Sequence, residues 1–220
     1  MPASTVEELG EDLDDGLQWR KIEVAAMRSQ IEKLSIADAS KPLGRGLLRA
    51  GSILLYAHWE GFTKDACQGY LDFVARRRLK FGELSDGWVS LSLRGISSAS
   101  LRGDPTANAQ LVEVVRRGPE LRARIPRSGV VETRSNLRHA VLMEIFGALD
   151  LDGRAFVTRA QLIDRRLCDR RNDIAHGREN FPTQAEYIDM HGHVVTMLDE
   201  VRDLIVVAAR ERSYRRAPQA

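Results

Sequence analysis

The stretch RRNDIAHG, residues 170–177, sets two guanidiniums, an amide, a carboxylate and an imidazole close together and then ends in glycine. Those groups suit the metal-free cleavage of an RNA phosphodiester. That reaction must take a proton from a ribose 2′-OH, stabilise extra negative charge on phosphate, and give a proton to the leaving 5′-oxygen. Histidine can take or give a proton near neutral pH because its unperturbed pKa is ~6.5, and such acid–base help is worth about 10²–10⁴-fold. Arginine brings a permanent charge and a forked donor matched to phosphate oxygens. Arg171 and His176 supply both parts, and Asn172 can donate to phosphate or orient the imidazole. Arg170 and Arg178 flank them as candidate phosphate contacts, while Asp173 can tune the histidine or balance the arginines. Far upstream, Glu60 sits in an apolar helical setting, where a carboxylate needs a partner such as a motif-helix arginine.

A plainer account fits the same residues. Histidine in a last helical turn is stabilised by the helix dipole, and glycine after it is ordinary capping. Arg–x₄–His alone is a weak signal in an arginine-rich chain, so both accounts stand at this level. Geometry adds a condition. Residues four apart share a helix face, which makes Asn172 and His176 neighbours. Arg171 and His176 are five apart, roughly 140° round an ideal helix. They converge if the arginine wraps round, if the helix loosens before Gly177, or if two copies face each other across a twofold axis. The last arrangement is the expected one, because twofold dimers are the commonest oligomers and symmetry would then supply a second imidazole.

The elements that must position these groups read as helices almost throughout. Of 220 residues, 43% are hydrophobic and 29% charged, a soluble globular composition with net charge +2. The acidic first forty residues contrast with an arginine-rich stretch from 116 to 178, which suits an anionic ligand. Cys67 and Cys168 lie in apolar helical patterns and read as buried thiols of a reducing compartment. The N-terminus lacks the regions of a signal peptide, and no apolar run approaches the ~20 residues of a bilayer span, so a cytoplasmic protein is expected. The HGH triplet at 191–193 points its two histidines apart on a helix, and GRG at 44–46 lacks the lysine and hydroxyl of a phosphate loop. Neither a metal nor a cofactor is expected, and no helix–turn–helix with a basic second helix stands out.

A first helix should start near Ser4 or Thr5, with Glu7 and Glu8 as capping partners and Ile22, Ala26, Ile31 and Leu34 as its stripe. KPLG at 41–44 should break it before a long central helix from about 43 to 79. Residues 81–128 read as a less regular insertion or cap, with short helices at GELSDGWVSLSL and AQLVEVVRRG. A further helix carries Leu137, Val141, Leu142, Ile145 and Leu149 on one side; His139 near its start should be exposed. The motif helix should be capped by Thr158 and end at Gly177. The last helix should open at Thr183 with Glu186 and run antiparallel to it, joined by GRENFPT.

RNDIAHG at 171–177 resembles the Arg–x₄₋₆–His signature of the HEPN superfamily, with Asn172 as the polar residue after the arginine. ILLYAHWEGFTK at 53–64 resembles the first long core helix of a prokaryotic, RiboL-PSP-like branch of it. NLRHAVLMEIFGALDLDGRAF, followed by LIDRRLCDRRNDIAHG, is similar to that branch in order and spacing. The resemblance implies one all-α domain over residues 1–220, a HEPN-type antiparallel helical bundle with 81–128 inserted. It implies a metal-independent endoribonuclease that dimerises through the motif helices, with Arg171 and His176 catalytic and Asn172 accessory. RNA, a second copy, and an antitoxin or defence-system protein are the partners it implies, as for toxins and effectors of prokaryotic defence or stress. Some HEPN domains are noncatalytic, so the alternative is a helical binding or scaffolding module in such a complex.

Overall fold

Thr5 caps the first helix. Its hydroxyl accepts the Glu8 amide at 3.1 Å while the Glu8 carboxylate accepts the Thr5 amide at 3.2 Å, and the two bonds together satisfy donors that a helix start leaves open. In the computed structural model, which describes residues 3–217, this helix is α1 (Val6–Glu32). Its buried stripe is Leu9, Leu13, Leu17, Val24 and Ile31. The expected Ile22 and Ala26 lie on the opposite side, exposed, and Leu34 is only half-buried. A short α2 (Ile36–Ala39) follows. Pro42 then begins the central helix rather than merely breaking the first: α3 (Pro42–Arg76) has proline at its first position, where a missing N–H costs nothing.

α3 is buried round much of its circumference and packs against both α1 and the last helix, α8 (Gln184–Glu211), which also pack against each other. Gly51 permits the closest approach. A β-carbon there would meet the Tyr187 ring at 2.7 Å and the Ile31 side chain at 3.0 Å, so three helices meet at a position only glycine fits. Trp59 and Phe62 of α3 are sealed in the core, with Trp59 stacked on Phe156 at 6.2 Å.

Within 81–128 two regular helices occur, α4 (Asp86–Leu101) and α5 (Pro105–Arg117). Trp88 of α4 is fully buried and meets Tyr70 of α3 edge-on at 5.7 Å, which roots the pair in the main core. From Leu121 to Arg138 the chain is largely irregular and lies against α3. α6 (His139–Ala148) buries Leu142, Ile145 and Phe146. Its first residue departs from expectation: His139 is half-buried, with Nε2 3.0 Å from the Phe156 carbonyl.

Thr158 is not a cap. The chain already turns as a 3₁₀ helix over Gly153–Arg159, begun by the Asp152 carboxylate, which accepts the Arg154 amide at 3.2 Å. Thr158 therefore lies inside a helical turn, where an N-cap's extended backbone is unavailable. Next comes a π-helical segment, Leu162–Asp169, with i→i+5 bonding, which passes directly into α7 (Arg170–Ala175). Gly177 ends it at φ +73°, as its position predicts. α8 opens with Thr183 and Glu186 in a second capping box and buries Tyr187, Val194, Met197, Leu198, Val201 and Ile205. Arg159–Glu200, Arg166–Asp189 (2.5 Å) and Arg170–Glu186 (3.3 Å) join it to the chain around α7 in descending register, so the two run antiparallel.

Among the described residues the chain forms helices and two isolated β-bridges, an all-α fold. None of its helices is long and apolar enough to cross a membrane. Cys67 and Cys168 are free and buried, and burial pushes both thiols up to about 12.

Candidate functional site

The site is built on two residues of α3 one turn apart. Tyr56 and Glu60 share a face of the helix, and that face looks toward α7. The Tyr56 hydroxyl accepts the buried Leu137 amide at 2.8 Å, pinning the chain ahead of α6, and burial holds its phenol well above the usual range. The Tyr56 ring lies 4.1 Å from the Arg171 guanidinium, a cation–π contact. Arg171 Nη1 donates to Asn172 Oδ1 at 2.9 Å and Nη2 to the Ser135 carbonyl at 2.9 Å. Glu60 Oε2 stands 3.7 Å from Nη2, an ion pair too long to be a hydrogen bond. Ring, carbonyl, amide and carboxylate thus fix one planar cation from several sides.

His176 caps α7. Its backbone N–H donates to the Asn172 carbonyl at 3.0 Å, its φ and ψ of −90° and 11° leave the helical path, and its side chain is exposed. Asp169, Arg171, Asn172, Asp173, His176 and Arg178 line one open cleft of about 590 Å³, which Ser135, Asn136 and Arg138 border from the chain ahead of α6. Both residues border this cleft within one copy: the arginine bends back onto α3 while the histidine steps out of the last turn. The loosening of the helix lies before the motif, in the π-helical segment, rather than between the two residues. Asn172 serves the arginine instead of the imidazole, which leaves its amide nitrogen available to the cleft.

Asp173 accepts from Asn180 Nδ2 at 3.2 Å and Arg178 Nη1 at 3.0 Å, and these two bonds hold its carboxyl below the usual range. It balances Arg178 and folds the turn. Arg178 is otherwise exposed at the cleft rim. Arg170 goes elsewhere: it is turned to α8, paired with Glu186, and lines no part of the cleft. One residue along a helix is about 100° of rotation, enough to separate Arg170 from Arg171. Glu60 likewise stands behind Arg171 rather than on the cleft wall. Of the HGH pair, His191 is buried and His193 points outward, 3.6 Å from Asp189. Among the described residues no group of three His, Cys, Asp or Glu side chains is placed to hold a metal.

Four contributors had no sequence signal strong enough to single them out. Arg49 donates to the carbonyls of Arg178 (2.7 Å), Asn180 (3.1 Å) and Ile174 (3.4 Å), tying down the turn that carries His176. Arg138 pairs with Asp169 at 2.6 Å across the cleft, and Ser135 supplies only a carbonyl. Tyr56 alone left a trace, its four-residue spacing from Glu60. Tyr56→Phe should keep the ring under Arg171 but strip the buried Leu137 N–H of its acceptor, at about 1–3 kcal/mol of stability. Urea unfolding checks this, and an unchanged midpoint would mean the phenol does not hold that segment.

Residues 9–214 match the family model described as HEPN_MAE_28990-like HEPN. No curated protein and no solved structure gives a significant match.

Proposed function

Because the chain belongs to the HEPN_MAE_28990-like HEPN family, we propose that it is a metal-independent endoribonuclease with Arg171 and His176 as its reacting groups. HEPN domains are often ribonucleases, and one local observation supports that activity here. Arg171, its guanidinium fixed, and His176, exposed and with no side-chain hydrogen bond or ion pair among the described residues, line the same cleft.

In the proposed reaction a His176 imidazole takes the 2′-OH proton as the O2′–P bond forms. Arg171 neutralises the charge that builds on the phosphate oxygens, where a forked donor fits best. As the P–O5′ bond breaks, an imidazolium gives its proton to O5′, leaving a 2′,3′-cyclic phosphate and a 5′-hydroxyl. One copy carries one such histidine. Pairing two copies through the motif helices would supply the second, dividing acid and base roles between equivalent His176 side chains. Asn172 would donate its free amide to a phosphate oxygen, and Arg178 would meet a neighbouring phosphate. The cleft carboxylates are committed to arginines, Asp169 to Arg138 and Asp173 to Arg178, a poor donor set for a divalent cation. The activity would act as an effector of prokaryotic defence or stress response, restrained by a partner protein.

Incubating the purified protein with cellular RNA in EDTA tests the reading. Cleavage with cyclic phosphate ends supports it. Intact RNA, or ends bearing a 5′-phosphate, would sink it.

A further inference from the structure

A second cavity of about 580 Å³ lies at the far end of α3. Its floor is apolar, with Ala75, Ile96, Val114 and Ile125, and Arg122, Arg124 and Arg127 line it with their charges. All three arginines are exposed. Among the described residues Arg122 and Arg124 make no ion pair, and Arg127 meets Asp72 only at 3.8 Å. Glu113 also lines the cavity, so the local balance is positive without being free of acid.

The chain that carries these arginines also builds the cleft. At one end, Ala123 N donates to the Leu79 carbonyl at 3.0 Å, and Lys80 bridges to Arg122. In the middle, Gln68 Nε2 donates to the Arg127 carbonyl at 3.1 Å. At the other end, Leu137 is bonded to Tyr56, and Ser135 holds Arg171. Contacts at residues 79, 68 and 56 show that residues 122–138 run back along α3 from the cavity to the cleft. Tyr56 and Arg76 are separated by about 30 Å of helix at ~1.5 Å per residue. Arg134 and Arg138 continue the series toward the cleft. Each is paired, with Glu144 and Asp169, yet retains further N–H donors.

We propose that residues 122–138 form a track for single-stranded RNA, leading from the cleft to a distal basic pocket that holds a downstream or upstream stretch of the same strand. The proposal rests on the ribonuclease reading for the identity of the polyanion. The chemistry of the pocket suits a nucleotide: apolar side chains for the face of a base, guanidiniums for its phosphate. At the ~3.4 Å spacing of a stacked strand, about nine nucleotides would bridge the distance. The site would therefore discriminate by substrate length, and a tetranucleotide in the cleft would never reach the pocket.

The test is salt-dependent binding in the His176→Ala background, where the RNA stays intact, using a twelve-nucleotide single strand and a tetranucleotide. Each neutralised phosphate of a single strand contributes about 0.7 to the slope of log affinity against log salt. Combining Arg122→Gln, Arg124→Gln and Arg127→Gln should make the twelve-nucleotide slope shallower by about 2 and the tetranucleotide slope by much less, because the short strand occupies either the cleft or the pocket and never both. Arg124→Gln alone should remove about 0.7, and all variants should keep the parent's helical spectrum because the replaced side chains are exposed. An unchanged slope with the long RNA overturns the track, as does an equal loss with both RNAs. Unchanged RNA binding with lost binding to polyglutamate would assign the pocket to an acidic protein and also overturn it. Wild-type protein that fails to cut RNA while the slopes behave as expected sinks the nuclease alone. Cutting with unaltered slopes sinks only the track.

Discussion

His176→Ala is expected to lower RNA cleavage by about 10²–10⁴-fold, equally with and without EDTA, while the protein stays folded. The fold should survive because the His176 side chain is exposed and the turn it sits in is made by other groups. Its own backbone N–H bonds to Asn172, Gly177 supplies the left-handed turn, and Arg49 binds the surrounding carbonyls. The proposed sharing of two imidazoles between paired copies leads to a sharper expectation. In co-expressed mixtures every hybrid dimer would lack either its acid or its base, so activity should fall with the square of the wild-type fraction. A linear fall would mean one histidine suffices and each copy works alone. Full activity of the pure variant would remove His176 from the chemistry altogether.

Arg171→Ala should cost about 10²–10³-fold, chiefly in kcat, because the lost charge acts where negative charge develops. Arg171→Lys should recover little of it. Lysine is a point charge that cannot bond the Ser135 carbonyl and Asn172 together while lying flat on the Tyr56 ring. Removing the arginine also leaves Glu60 without its partner, so some loss of stability will accompany the loss of rate. Glu60→Gln separates the two. It keeps the shape behind the guanidinium but not the charge, and since Glu60 is absent from the cleft wall it should disturb rate far less than Arg171→Ala. Equal losses in both variants would mean that Arg171 is a structural cation, and the phosphate role would fall.

Local chemistry made much of this architecture readable from residues alone. Thr5 with Glu8, Thr183 with Glu186, and Gly177 each declare a helix end through bonds formed within a few residues, and all three behave so. The buried line of α8 follows from spacing because Tyr187, Val194, Met197, Leu198, Val201 and Ile205 recur on one face. α1 misled because Ile22 and Ala26 are apolar yet lie opposite the Leu9–Leu13–Leu17 line, and composition does not say which face finds a core. The π-helical segment was invisible since no residue type marks i→i+5 bonding, and with it went the true start of the motif helix, misplaced at Thr158. At the site, Glu60 could be paired with an arginine of the motif helix because a carboxylate in an apolar setting needs a cation. Arg170 could not be told from its neighbour, as its direction depends on a rotation that tertiary packing decides. Tyr56, Ser135 and Arg49 act through a ring face or through carbonyls, contacts that leave little imprint on spacing.

The wide turn at Leu162–Asp169 also sets a rule for how this chain can vary by descent. An i→i+5 turn accommodates one residue more than an α-helical turn, so a one-codon deletion there would close it into regular helix without tearing the backbone. Everything after the deletion would keep its place, and the guanidinium its aromatic seat, because the residue removed is the one that the wide turn holds in excess. Length in this short stretch is thus freer to vary by one residue than the identity of the arginine that follows it.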